Sequence, residues 1–127
     1  MSQCVLSRRV APCAEAIGGA RRAVRACAAR AGAADPEGVA VAVSEALTNA
    51  VVHAYAGVAP ADIDVTVAVD GDAARVVVAD RGRGMRPRAD SPGAGLGLPL
   101  MAALSREMEV AGRPGGGTRL ALWFALA

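Results

Sequence analysis

Residues 62–79 constrain the fold more than any other stretch. Asp62-Ile63-Asp64-Val65-Thr66-Val67-Ala68-Val69-Asp70 alternates polar and apolar positions, the period of a strand with one buried face. Asp70-Gly71-Asp72 is a hairpin turn signal. Ala73 to Ala79 then reads as a second strand that ends at Asp80. An antiparallel hairpin of this kind needs further strands beside it and a cover over its apolar face.

The flanking segments supply both. Residues 3–10 read as a first strand, and Pro12 suits the first turn of a helix. Residues 13–31 are rich in Ala and Arg and read as that helix, with Arg21, Arg22 and Arg25 on a polar face and Gly32 as its C-cap. Asp35 and Pro36 are an N-cap and first position for a second helix, running to about Tyr55. Residues 81–94 are rich in Gly, Pro and Arg without periodicity and read as a loop. Leu96–Ser105 reads as a third helix, 107–111 as a strand, Gly115-Gly116-Gly117 as a turn and 118–126 as a last strand. The expectation is an α+β chain: a mixed, mostly antiparallel sheet with helices on one face, in one domain over residues 1–127.

Composition narrows function. All 14 cations are Arg, and the chain has no Lys. A Walker A phosphate loop and a Lys Schiff base are both closed to it. The net charge is only +2, with one Trp, one Tyr and one Phe to stack on bases, which argues against a nucleic-acid partner. No apolar run reaches the roughly 20 residues that cross a bilayer, and no signal peptide opens the chain, so the expected compartment is the cytoplasm and no membrane partner is expected. Cys4, Cys13 and Cys27 fit neither a CxxC pair nor a zinc site and read as small buried hydrophobes.

Against this background several polar residues stand out. Within Ser44-Glu45-Ala46-Leu47-Thr48-Asn49, Glu45 and Asn49 lie one turn apart on one helix face, and His53 extends the line. Such a stripe on an Ala/Val/Leu helix faces water or a ligand, because buried it would need polar partners. Asp80-Arg81-Gly82-Arg83-Gly84 closes a strand; its carboxylate can accept from an exocyclic amine while the glycines admit a flat ring, though an ordinary Asp–Gly turn fits equally. Gly93-Ala94-Gly95-Leu96-Gly97-Leu98 opens a helix, where free N–H groups attract phosphate; a flexible loop entering a helix is the plainer account. A loop precedes it rather than a strand, which excludes a dinucleotide fingerprint. Gly117-Thr118 starts the last strand, and its hydroxyl either reaches a ligand or is an ordinary strand residue.

In order and spacing, Glu-x-x-x-Asn, D-x-G-x-G, G-x-G-x-G and Gly-Thr together resemble the ATP-binding boxes of the GHKL ATPase superfamily, over residues 36–126. The Ser-Glu-Ala-Leu-Thr-Asn-Ala-Val-Val-His-Ala-Tyr run is similar to the bacterial anti-sigma factor serine-protein kinases of RsbW and SpoIIAB type. The resemblance implies a Bergerat-type two-layer α/β sandwich, ATP and Mg²⁺ as cofactors, and a STAS-domain anti-anti-sigma protein as the phosphorylated partner. It also implies a sigma factor as a second partner and admits a homodimer.

Roles at matching positions follow from the resemblance. Asn49 would ligate Mg²⁺ and Asp80 would bind the adenine amine. Gly82 and Gly84 would shape the adenine pocket. Gly95, Leu96, Gly97 and Leu98 would cradle the phosphates, and Thr118 would support the adenine end. Glu45 would be the catalytic base, and His53 a structural hydrogen-bonder. The chain departs from the pattern at Gly93-Ala94, where several such kinases carry a basic residue for the γ-phosphate; Arg86 and Arg88 are the nearby cations. A non-catalytic ATP-binding module that switches a partner through its lid, or a detached histidine-kinase catalytic domain, would share these boxes. Arg21, Arg22 and Arg25 fit an acidic partner or a solvated helix face equally.

Overall fold

The structure is a computed structural model that describes residues 2–54, 59–82 and 97–127, with side chains over 5–52, 59–82 and 97–127. The described residues form five strands and three α-helices: β1 (Ser2–Val10), α1 (Ile17–Arg30), α2 (Pro36–Asn49), β2 (Ile63–Asp70), β3 (Ala73–Ala79), α3 (Leu98–Leu104), β4 (Glu107–Gly112) and β5 (Thr118–Ala125). The sheet order is β1-β2-β3-β5-β4, and each neighbouring pair is antiparallel. Two strand pairings come from local turns, β2–β3 and β4–β5. The chain between β3 and β4 crosses by way of α3, so β5 returns to the middle and leaves β4 on the edge.

Register sorts the side chains. Leu6, Val67, Val76, Leu122 and Met108 lie in one row across the sheet, followed by Val65, Val78 and Leu120 in the next. These face α1 and α2, which contribute Ala20, Val24, Cys27 and Val39, Val43, Leu47 to the same core, with Met101 from α3. The result is the two-layer α+β arrangement, with its helices on one face of the sheet. The core is built mostly from Val, Ala and Leu, and its largest fully buried side chains are Leu47, Ile63, Met101 and Leu122.

Caps fix the helices where the residues indicate. The Asp35 carboxylate accepts from the Gly38 N–H at 3.0 Å, satisfying one of the four orphan donors of α2. At the end of α1, Gly32 N–H reaches Ala29 O and Ala33 N–H reaches Ala28 O, the paired bonds of a Schellman ending. The start of α1 differs from expectation. A 3-10 turn over Ala14–Ala16 precedes Ile17, and Cys13 stands ahead of it. That turn lifts Cys13 away from the core, so Cys13 is exposed while Cys27 is buried. The Cys4 side chain lies outside the described ones.

The second helix also differs. Its α-helical part stops at Asn49 and continues as a π-helical turn over Ala50–Ala54. A π turn bonds i to i+5 instead of i+4. Glu45 and Asn49 lie in the α-helical part of the expected stripe, and the His53 side chain falls outside the described ones. Among the described residues no helix is long and apolar enough to cross a membrane.

Glu37 ties α1 to α2. It receives Arg21 Nη2 and Arg25 Nε, both at 2.7 Å. The hydrogen bond from Arg25, then that from Arg21, lower its pKa from 4.5. The folded state thus prefers the ionised form, so this contribution is present above pH 4.5 and fades as pH falls below it. A Glu37→Gln variant is expected to melt below wild type at pH 7, with the gap closing on acidification below 4.5. A gap unchanged by acid would show that the pair contributes nothing through charge.

Candidate functional site

Among the described residues, three polar side chains are buried: Asn49 at 1%, Asp80 at 5% and Thr118 at 3% exposure. All three are residues the sequence marks out. Two of them meet. Antiparallel pairing of β3 with β5 sets Ala79 opposite Arg119, which brings Asp80 opposite Thr118 at the sheet end. The Asp80 N–H donates to Thr118 O at 2.9 Å. The Asp80 Oδ1 accepts from Gly82 N–H at 2.9 Å and from Thr118 N–H at 3.2 Å. The bond to Gly82 is an Asx turn, in which a carboxylate stands in for a backbone acceptor. One carboxylate oxygen therefore fixes both the end of β3 and the start of β5, and the two backbone donors satisfy it inside the protein.

The β4–β5 turn closes over this junction. Arg113 Nη1 donates to the Asp80 carbonyl at 2.9 Å. Gly117 has φ +106, and a Cβ there would run into that same carbonyl oxygen. The backbone of the turn can lie this close only without a side chain. Arg81 swings the other way: Nη1 reaches Asp62 O and Nη2 reaches Asp64 Oδ2, each at 3.2 Å. It anchors β3 to β2 and is no loose loop cation.

A second group forms between α2 and α3. Glu45 is half-buried on α2, and Asn49 follows one turn later as its last residue. Gly97, at φ +63, is the N-cap of α3, and a Cβ on it would stand 2.5 Å from Glu45 Oε2. The Glu45 carboxylate thus lies against the backbone that opens α3, and glycine is what lets it. Leu98 follows as the first residue of α3, half-buried against the core. Asn49 makes a polar interaction, and its Oδ1 is buried and accepts no hydrogen bond among the described residues. An amide oxygen is the donor type that suits a hard cation. No cluster of three or more His, Cys, Asp or Glu stands together among the described residues. A cation completed by phosphate oxygens and water does not need one.

Gly84, Gly95 and Leu96, with Arg83, Arg86, Arg88, Gly93 and Ala94, lie outside the described residues, as does the His53 side chain. Of the three α1 arginines considered for an acidic partner, Arg21 and Arg25 are engaged by Glu37. Arg22 instead comes near Gly18 and Gly19, where Arg8 also reaches. Sequence reasoning missed Arg113. Its only local signal is a charged residue directly before a Pro-Gly-Gly-Gly run.

Residues 10–123 match the family model described as histidine kinase-like ATPase domain. Among solved structures, the chain is similar to the RsbU and RsbW domains of Rv1364c from Mycobacterium tuberculosis. The two are 29% identical with a TM-score of 0.72, and the match covers 95% of this chain and 32% of that one. The present chain thus spans about a third of that chain's length. No curated protein matches.

The closeness of Gly117 to Asp80 has a measurable cost. Gly117→Ala is expected to lose about 1–3 kcal/mol of stability through strain at positive φ, with the clash added. Gly115, at φ +84 with nothing within 4 Å, carries the strain alone. Denaturant melts should rank Gly117→Ala below Gly115→Ala. Equal losses would mean that the Asp80 carbonyl does not confine the turn.

Proposed function

The chain belongs to the histidine kinase-like ATPase domain family, and from that premise we propose that it is a Mg-ATP-dependent serine-protein kinase. Its substrate in this reading is a Ser of a STAS-domain anti-anti-sigma protein, and it acts as an anti-sigma factor in the cytoplasm. The observation that carries the reading is the coincidence of three buried polar residues with three of the family's ATP-binding positions. Likeness to an RsbW domain supports the regulatory kinase class.

Each residue has a stated task. With Oδ1 of Asp80 committed to backbone donors, Oδ2 is the oxygen left to accept from the adenine amine. Gly82 and Gly84 leave room for the flat base, and Thr118 holds the adenine end through its pairing with Asp80. Asn49 offers its amide oxygen to Mg²⁺, and Gly95, Leu96, Gly97 and Leu98 offer backbone N–H groups to phosphate. Bound Mg-ATP supplies a transferable γ-phosphoryl group whose charge the cation offsets. Glu45 holds the serine hydroxyl in line and accepts its proton. The contact between Glu45 and the Gly97 backbone supports this role, since it sets the base beside the phosphate-binding segment.

The test is transfer of labelled γ-phosphate to STAS-domain proteins encoded beside this chain. Wild type is expected to give phosphoserine, and Glu45→Ala is expected to lose about 10²–10⁴-fold in rate while keeping ATP binding. ATP binding without any phosphoprotein would overturn the kinase reading. It would favour the switching module instead, which the absence of a basic residue at Gly93-Ala94 also suits.

A further inference from the structure

Arg113 is a half-buried guanidinium that meets a carbonyl. Its Nη1 donates to Asp80 O at 2.9 Å, and among the described residues it forms no ion pair. The turn that carries it is closed by its own bonds: Arg113 N–H to Gly117 O at 3.1 Å and Gly116 N–H to Arg113 O at 3.0 Å. That closure presses Gly117 onto the Asp80 carbonyl and sets Gly116 beside the Gly82 carbonyl, where a Cβ would lie 3.6 Å away. Asp80 is therefore held at its N–H, its carboxylate and its carbonyl.

We infer that Arg113 is a positioning residue for base selection. The Asp80 carbonyl belongs to the peptide that starts the Asx turn. Fixing that peptide fixes where the Gly82 N–H stands, and the Gly82 N–H holds Oδ1. With Oδ1 held, Oδ2 keeps one direction. A charged donor makes a stronger hydrogen bond than a neutral one, so it holds the peptide more firmly than water would. Because the guanidinium meets a neutral carbonyl and no carboxylate, its contribution is direction rather than charge pairing. The inference rests on the assignment of Asp80 to the adenine amine.

The test compares binding of Mg-ATP and Mg-ITP by calorimetry. ITP replaces the exocyclic amine of ATP with a carbonyl oxygen and turns N1 from acceptor to donor, so the ratio of the two affinities reads the base edge that Asp80 would meet. Wild type is expected to prefer ATP, and Asp80→Asn, which turns a donor toward the amine, is expected to lose the preference. Arg113→Ala is expected to weaken ATP roughly three- to tenfold and leave ITP unchanged, the scale of one loosened hydrogen bond. Arg113→Lys, which keeps a charged donor, should recover part of the ratio. If Arg113→Ala does not fold, Arg113→Gln is read the same way. A merely structural residue would weaken both nucleotides alike, and that result would overturn the inference, as would a wild-type ratio in Arg113→Ala. A wild-type ratio in Asp80→Asn would remove the Asp80 assignment and this inference with it.

Discussion

The Asp80 carboxylate is the junction on which the site end of the sheet depends. One oxygen gathers the N–H groups of Gly82 and Thr118, while the backbone N–H of the same residue pairs with Thr118. β3 and β5 are neighbours in the sheet but far apart in the chain, and this carboxylate locks their ends together. A buried carboxylate is costly unless hydrogen bonds meet it. Here the backbone meets one oxygen and Arg113 pins the carbonyl, so the residue is fixed before any ligand arrives. A preformed site of that kind loses less freedom on binding.

Much of the fold was legible because its signals are local. The alternation over 62–79 and the Asp-Gly-Asp turn gave β2 and β3 nearly to the residue. Asp35 and Gly32 marked helix ends through bonds that span only a few residues. Strand order was not legible, since nothing near β5 says that it enters between β3 and β4. The π turn after Asn49 was also hidden: Ala-Val-Val-His-Ala continues a helical pattern well enough, and only packing decides the extra residue. Cys13 shows the same limit, because a 3-10 turn shifted the helix start and left the thiol outside.

In the site, the legible residues were those that are chemically out of place. Asn49, Asp80 and Thr118 are polar positions in apolar surroundings, and they are the buried polar residues of the described structure. Arg81 and Arg113 were illegible for the opposite reason. Both sit in Gly- and Arg-rich segments where a solvated cation is the ordinary outcome, yet one ties β3 to β2 and the other holds Asp80. Asn49 is buried at the helix end while Glu45 is half-buried against Gly97, so the proposed cation ligand and the proposed base occupy distinct surroundings one turn apart. In the proposed function, nucleotide binding draws on the first, and phosphotransfer also needs the second.

The account stands or falls on whether the buried polar trio serves a nucleotide. The most direct measurement is calorimetric titration of ATP into wild type and Asn49→Ala, each with magnesium and with a chelator. The account predicts saturable binding by wild type that weakens when magnesium is removed, and no magnesium effect in Asn49→Ala. Wild type that fails to bind ATP, or an Asn49→Ala protein that keeps the full magnesium effect, would contradict it.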